Sequence, residues 1–475
     1  MTLQPDRKLT LTARAHSVAW WLSGGVLGPT WRFAAAIVVT AGPWLVAVTA
    51  LAIIALWLQP VLGKPAFEDL NLSVTYAFCL ASLVAAPIGV IAARAVRSNV
   101  EENQGNLVLE IFLVAAVRAG LIGQLLAILI SLALGLHPLG LVFAYVFLSV
   151  AAAMLWISFA VLGALRSYRV MIGAFSAGMA VTVGLCLLSG PLQASACLPV
   201  WSFAAGLYLA AGLSLAHVSR QFGKQLDELK AAMTVLDKHT WAMRHLGLAV
   251  FLAVATVWAD KWFFWFGPVG ARSAAGFLHF ELYDNVMFLA QLSIIPTFAA
   301  MFLFNDGEIE QAVDDFRQTM RDHATLSVIK EAVARLCHVV WSGLFRIAFV
   351  QASVTIALAL FSPFVSGLLN FSLEQLLLLQ VALAAVLLQS VGYLACSVLI
   401  LCSRTRTFLA VQVLFLLVNI SCSFLFFSTV GTTAYAVLTS SLFFAALSGI
   451  VGYRSLSSYD YLIFLGENDS LYQRV

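Results

Sequence analysis

The sequence predicts an all-α, polytopic membrane protein, with about twelve transmembrane helices arranged as two lobes of six. Three observations predict this fold: an apolar composition, a series of apolar segments of bilayer length, and an internal repeat. Of the 475 residues, 62% are hydrophobic and only 10% are charged, against about 25% charged in ordinary globular chains. A soluble chain of this composition would have to expose a large apolar surface to water, so a soluble protein is excluded.

Apolar segments long enough to cross a hydrocarbon core, which takes about 20 helical residues, occur in two sets of six. A charged linker at 218–244 separates an N-terminal lobe at 32–217 from a C-terminal lobe at 245–453. We predict an interfacial segment at 1–31, an amphipathic cytoplasmic loop at 305–336 and a cytoplasmic tail at 454–475. The predicted spans are 32–59, 72–93, 107–135, 138–163, 170–190, 199–217, 245–267, 278–304, 337–366, 373–401, 408–428 and 432–453.

The positions of the basic residues support this count of spans. With twelve spans, 21 of the 26 Lys and Arg residues fall on the side that holds both termini. The opposite side holds only Lys64 and Arg272, and Arg118, Lys261 and Arg346 lie within spans. By the positive-inside rule, both termini are predicted to be cytoplasmic.

The internal repeat relates spans that lie six apart. Leu80–Pro87 and Leu289–Pro296 both read LAxLxxxP, in the second and eighth spans, and intramembrane arginines follow in the third and ninth. The repeat predicts lobes of the same orientation, related by a pseudo-two-fold axis along the membrane normal, with a path between them. We expect helix kinks at Pro43, Pro87 and Pro296, around a cavity or as ordinary packing kinks.

The stretch VWADKWFFWFGP places Asp260 and Lys261 inside the seventh span. A charge near mid-bilayer costs at least about 2.5–3.5 kcal/mol, so we expect both to face the bundle interior. Neighbouring helical residues point about 100° apart, which predicts that the two do not neutralise each other. We expect Lys261 to bridge to Glu281 or Asp284, and Asp260 to meet an arginine or water. The alternative is a snorkelling lysine within an aromatic belt.

The candidate substrate path combines the charged and polar residues of the third, seventh, eighth and ninth spans. Arg118 and Arg346 occupy matching places in the repeat, either beside the path or bonded to carbonyls of neighbouring helices. The full candidate set is Asp260, Lys261, Glu281, Asp284, Asn285, Gln291, Arg118, Arg346, Gln124 and Trp258. No HxxxH, HExxH or CxxC spacing occurs, so we expect no metal, no cofactor and no catalytic site.

Parts of the sequence resemble the Pel exopolysaccharide exporter family, PelG. The resemblance rests on AGPW at 41–44, DKWFFWFGP at 260–268 and ELYDNVMFLAQLSIIPTFAAMF at 281–302, while MTLQPDRKLTLTARAHSV at the N-terminus departs from the family. That family is similar to the multidrug/oligosaccharidyl-lipid/polysaccharide exporters. The resemblance implies export of an N-acetylgalactosamine-containing polysaccharide across a bacterial inner membrane. The implied partners are a cytoplasmic glycosyltransferase and small membrane subunits.

Other functions remain open from the residues alone. An ion-coupled, alternating-access flippase of a lipid-linked oligosaccharide, or a small-molecule antiporter, would need the same two lobes and polar interior. In that case buried carboxylates such as Asp260 and Asp284 would bind protons or sodium. A membrane glycosyltransferase is disfavoured, since no GxxxxGK loop or DxD-type pair occurs in the connecting segments. A non-transporting scaffold for a synthase is a fourth possibility, and nothing indicates nucleic-acid binding.

Overall fold

The protein is almost entirely helical in a computed structural model that describes residues 28–101, 107–189, 195–223, 228–321, 325–431 and 433–459. Most of the predicted interfacial segment and of the predicted tail lies outside the described residues. Within those ranges, eleven helices are long and apolar enough to cross a membrane. The first of these, Val46–Glu101, contains the end of the first predicted span and the whole of the second. The other ten predicted spans each coincide with one long apolar segment.

We number the helices in chain order. The N-terminal half ends with the linker helix α6, and a short antiparallel hairpin joins the seventh and eighth spans. The elements are α1 (Gly28–Glu101), α2 (Val108–Leu134), α3 (Leu139–Ala164), α4 (Tyr168–Ser189), α5 (Cys197–Phe222), α6 (Leu229–Ala242), α7 (Arg244–Trp265), β1 (Ala271–Arg272), β2 (Leu278–His279), α8 (Glu281–Leu292), α9 (Ile295–Phe304), a π-helical segment (Asn305–Ile309), α10 (Glu310–Arg321), α11 (Leu326–Leu369), α12 (Leu373–Leu401), α13 (Thr405–Val430) and α14 (Tyr435–Ser457).

The backbone breaks at two kinds of residue, once between the first and second predicted spans and once inside the eighth. Within α1 the backbone leaves helical geometry at Gly63 (φ 75°, ψ 164°), a positive φ that glycine adopts without steric cost. Pro43 and Pro87 lie inside α1, where Gly63 alone has non-helical angles. The eighth span breaks at Ser293 and Ile294, so that Pro296 is the second residue of α9. Proline is tolerated there because the first turn leaves its N–H groups unbonded.

The two lobes share one packing scheme, which matches the internal repeat. In the N-terminal lobe α2 packs on α3, α3 on α5, α4 on α5, and α1 on α3. In the C-terminal lobe the corresponding pairs are α11 on α12, α12 on α14, α13 on α14, and α8 on α12. Each pair in the second set lies six spans after its counterpart, so the two lobes are structural repeats of each other.

The lobes meet along α1, which contacts both α7 and α9. Glycine permits a close approach there, because a Cβ on Gly247 would lie 3.3 Å from the side chain of Ile91. At the end of the bundle that carries the linker, Arg166 pairs with Glu310 at 2.6 Å. We call this the linker end and the opposite end, which carries β1 and β2, the hairpin end.

The loop after the eighth span forms a helical layer at the linker end. Its helix α10 has an apolar face at the predicted spacing, and Phe316 on that face is buried against Ala332 and Val333. These two belong to α11, which begins at Leu326, well before the predicted start of the ninth span at 337. The amphipathic loop therefore packs on an extension of the ninth span.

Candidate functional site

Asp260 lies inside the bundle, where only 3% of it is exposed. The phenolic O–H of Tyr283, from α8, donates a hydrogen bond of 2.7 Å to its Oδ2. Tyr283 is itself fully buried and its ring packs on Phe264, with centroids 4.5 Å apart. A buried carboxylate needs such a donor, because losing water without a replacement costs several kcal/mol, about 2–7 for a neutral polar group and more for a charge.

Lys261 is also buried, at 5% exposure, and its surroundings differ from the sequence prediction. Its Nζ lies 3.9 Å from Asp260 Oδ1, donates to the carbonyl of Val257 at 3.1 Å, and stands 5.4 Å from the centre of the Trp258 ring. The prediction that adjacent charges do not meet is wrong here, since the long lysine side chain bends back toward its neighbour. No ion pair joins Lys261 to Glu281 or Asp284 among the described residues.

Asp284 connects the end of α7 to the start of α8. Its Oδ2 accepts hydrogen bonds from the indole N–H of Trp265 at 2.8 Å and from the backbone N–H of Phe280 at 3.0 Å. Its Oδ1 is buried and makes no hydrogen bond in the structure. Asp284 thus fixes the two ends of the hairpin on the C-terminal lobe while keeping one acceptor free inside the protein.

The remaining candidates of α7 and α8 are divided between interior and surface. Trp258 is half-buried and makes an edge contact with Trp265, with centroids 6.3 Å apart. Gln291 is half-buried, two residues before the helix break at Ser293, whereas Glu281 and Asn285 are exposed on α8. The structure therefore joins Asp260, Lys261 and Trp258 in one cluster and leaves Glu281 and Asn285 outside it.

The matching arginines of the repeat lie at the surface of the bundle. Arg118 pairs with Asp237 of the linker helix at 2.5 Å, and Arg346 forms two hydrogen bonds to Glu308, at 3.0 and 2.5 Å. In each lobe this arginine pairs with one carboxylate of a segment that follows another span of the bundle. Gln124 lies on the exposed face of α2, away from the interior. None of these three groups lines an interior path in this structure.

A second polar group in the C-terminal lobe escaped the sequence prediction. Gln351 of α11 is fully buried and accepts a hydrogen bond from the hydroxyl of Thr297, while its amide donates at 3.4 Å to both Ser293 and Thr355. Ser293 and Thr297 flank the break between α8 and α9. The amide of Gln351 inside the ninth span was the signal that could have indicated this network, because intramembrane polar groups need partners.

No group of three or more His, Cys, Asp or Glu side chains suited to a metal ion occurs in the ranges that the structure describes. The interior instead offers the pair of Asp260 and Lys261, further buried carboxylates at Asp69 and Glu110, aromatic rings, and amide and hydroxyl groups. Hydrogen bonds and ring stacking are the interactions that such groups can make with a polar molecule.

Comparison with protein families decides the identity of the chain. Residues 24–464 match the family model described as "PelG: Putative exopolysaccharide Exporter (EPS-E)". The chain belongs to the PelG family. No curated protein matches it significantly in sequence. This PelG protein is thus a membrane exporter rather than an enzyme.

Solved transporter structures share the fold of this PelG protein. The outward-facing form of a multidrug resistance MATE family transporter of the MOP superfamily has a TM-score of 0.66 at 11% identity, covering 97% of this chain and 100% of that one. The structure of a MATE in complex with MaL6 has a TM-score of 0.63 at 11% identity, covering 96% of this chain and 100% of that one. A MOP superfamily transporter from Pyrococcus furiosus Vc1 has a TM-score of 0.54 at 12% identity, covering 96% of this chain and 100% of that one. At these identities the likeness establishes the two-lobed fold alone.

Proposed function

We propose that this PelG protein carries an N-acetylgalactosamine-containing exopolysaccharide across a bacterial inner membrane, along a path between its two lobes. The observation that carries the proposal is the buried pair of Asp260 and Lys261 beside the α1–α7 contact between the lobes, in a member of an exopolysaccharide exporter family. Charges are costly to place in a membrane, and their presence inside a transporter marks a path for polar substrates.

The chemistry of the cluster suits a neutral sugar chain. An acetamido sugar offers hydroxyl and amide groups that exchange hydrogen bonds with a carboxylate and an ammonium, and an apolar ring face that stacks on Trp258. Because Asp260 and Lys261 compensate each other, the cluster presents no net charge to a neutral polymer. We further propose that a cytoplasmic glycosyltransferase and small membrane subunits feed the growing chain into the protein, with both termini of the exporter cytoplasmic.

An ion-coupled flippase is the second candidate function. It would use Asp260 as a proton or sodium site, yet the Lys261 ammonium lies 3.9 Å from that carboxylate. A cation bound at Asp260 would therefore meet an existing positive charge at short range. This arrangement favours a path for a neutral polymer over a cation site at Asp260.

The test measures secreted and cell-retained polymer in cells that produce Asp260→Asn, Lys261→Met or the double variant at matched membrane levels. The control removes the exposed pair of Glu331 and Arg335, whose atoms lie 2.8 Å apart outside the interior. We expect the control to export normally and the three interior variants to retain polymer. Normal export by all three would refute a role of the pair in the path.

Sugar analysis of the secreted material tests the substrate separately. N-acetylgalactosamine that disappears from the medium when the exporter is deleted, and accumulates in the cells, supports the proposal. A deletion strain that still secretes the same sugar at the same level would contradict it, whatever the variants do.

A further inference from the structure

The hairpin between α7 and α8 belongs to the C-terminal half of the chain but lies within the N-terminal lobe. Ala275 and Phe277, at and beside its tip, are only 2% and 1% exposed. Connecting loops usually run over a protein surface, so a buried tip needs a specific reason. Both residues, together with Trp265, belong to the hydrophobic core of the N-terminal lobe.

Hydrogen bonds hold the tip of this hairpin in the N-terminal lobe. The N–H of Ala275 donates to Asp69 Oδ1 at 3.0 Å, and its carbonyl accepts from the N–H of His137 at 3.1 Å. The phenolic O–H of Tyr76 donates to the carbonyl of Leu278 at 2.7 Å. All three bonds use the hairpin backbone, and all three partners lie on α1 or in the turn between α2 and α3.

Side chains of the hairpin add further contacts across the same boundary. Arg272 donates to the carbonyl of Leu134 at 3.0 Å, and His279 Nε2 lies 2.9 Å from Glu68 Oε1. The Phe277 ring packs on Tyr145 and on Tyr76, with centroids 5.6 and 5.1 Å apart. The hairpin therefore binds the N-terminal lobe through its backbone, its charged groups and its aromatic ring together.

The two ends of the hairpin are fixed to the opposite lobe. Asp284 accepts hydrogen bonds from the indole N–H of Trp265, two residues before the hairpin, and from the backbone N–H of Phe280, its last residue. Glycine is required at the first of these ends, since a Cβ on Gly270 would lie 2.2 Å from the carbonyl oxygen of Trp265. The hairpin is thus attached to the C-terminal lobe and inserted into the N-terminal lobe, so it must leave its seat whenever the lobes part at this end.

We propose that residues Gly267–Phe280 form a latch that closes the hairpin end of the path between the lobes, and that the latch releases the N-terminal lobe each time polymer leaves. The proposal rests on the proposed function, because it assumes that a polymer passes between the lobes. Every contact that seats the latch is non-covalent and can re-form, as a gate requires. The seat is formed by Glu68, Asp69, Tyr76, Leu134, His137 and Tyr145.

A reversible cross-link across the latch tests this proposal. Cysteines introduced together as Glu68→Cys and His279→Cys are joined in intact cells with a bifunctional methanethiosulfonate, and later released with dithiothreitol. We expect secretion to fall to the level of cells without the exporter when the link forms, and to recover on reduction. Undiminished secretion by fully cross-linked protein would show that the hairpin is a permanent strut and overturn the latch.

Several controls keep the result interpretable. Each single-cysteine variant receives the same reagent, which accounts for the seven native cysteines. Phe147→Cys with Trp201→Cys replaces two rings whose centroids lie 5.1 Å apart within the N-terminal lobe. Cross-linking these two cysteines is expected to leave secretion unchanged. If the first pair lowers export before cross-linking, Leu134→Cys with Arg272→Cys replaces it. Failure of the proposed function is distinguishable, because secretion would then not depend on the exporter even without a cross-link.

Discussion

Replacing Tyr283 by phenylalanine tests the energetics of the buried cluster directly. The change removes one hydroxyl, which donates a hydrogen bond of 2.7 Å to Asp260 Oδ2. It keeps a fully buried ring that packs on Phe264. A hydrogen bond to a charged group contributes about 1.5–3 kcal/mol in soluble proteins. In membranes, hydrogen bonds between helices average about 0.6 kcal/mol and reach about 1.7. Because the acceptor is a buried carboxylate, we expect a loss near the upper membrane value, about 1.5 kcal/mol.

The assay is a double-mutant cycle with Asp260→Asn, read as the free energy of unfolding in detergent titrated with sodium dodecyl sulfate. Asparagine keeps an acceptor oxygen but no charge, so the tyrosine should contribute only about 0.6 kcal/mol in that background, the average for hydrogen bonds between membrane helices. The coupling energy should therefore be about 1 kcal/mol. Tyr393→Phe is the matched control, since this half-buried tyrosine donates a hydrogen bond of 3.2 Å to the neutral carbonyl of Ala253. The reasoning is refuted if Tyr283→Phe costs the same with Asp260 as with asparagine.

Three further outcomes are expected from other parts of the molecule. Gly206→Ala should strongly lower thermal stability in detergent, because the new Cβ would lie 2.4 Å from the carbonyl oxygen of Gly178. Gly212→Ala on the same helix is the control: its Cβ would have no neighbouring atom within 4 Å, so the melting temperature should not change. Gln351→Leu should lower stability by about 1–3 kcal/mol, because it leaves the hydroxyl of buried Thr297 without its acceptor; an unchanged melting temperature would contradict the network. Arg346→Ala should cost less than about 1 kcal/mol despite two hydrogen bonds to Glu308, because the pair is exposed; a loss comparable to Gln351→Leu would show that the pair is shielded.

The helices and lobes could be predicted because their signals are local. Span length follows from bilayer thickness, and the repeat of LAxLxxxP at Leu80 and Leu289 gives the relation between the halves. The packing scheme of the second lobe then follows that of the first. The break at Gly63 lies in the connection between the first two predicted spans, 32–59 and 72–93, although no prediction named that glycine.

The partners of the charged residues could not be predicted, because they depend on tertiary register. Helical geometry at adjacent positions argued against a contact of Asp260 with Lys261, but a flexible lysine side chain covers the angular difference. Arg118 reaches a linker helix that lies far along the sequence, at Asp237. The burial of Phe277 had no sequence signal either, because ARSAAGF resembles an ordinary turn. Such contacts depend on how the folded helices pack together, which the sequence of a single segment does not show.

The two lobes have diverged in the polarity of their interiors. Of the five buried amide side chains in the part of the chain that the structure describes, four belong to the C-terminal lobe: Gln351, Gln389, Gln412 and Asn419. Gln412 and Asn419 lie on one face of α13, and the side-chain oxygens of both are buried without a hydrogen bond. Buried hydroxyls donate to their own helix, four residues back, in both lobes, as Ser149 does in the N-terminal lobe and Ser448 in the C-terminal lobe, so the amide side chains are what distinguishes the two interiors.

This difference has a mechanical consequence for the proposed export. Polar groups that bond between helices fix the relative positions of those helices, whereas hydroxyls bonded to their own helix leave them free to slide. The C-terminal lobe also holds the charged cluster and carries the hairpin, so its geometry has to persist while the path opens. We infer that the C-terminal lobe moves as one body and withdraws Phe277 of the hairpin from its seat on Tyr76 and Tyr145 in the N-terminal lobe.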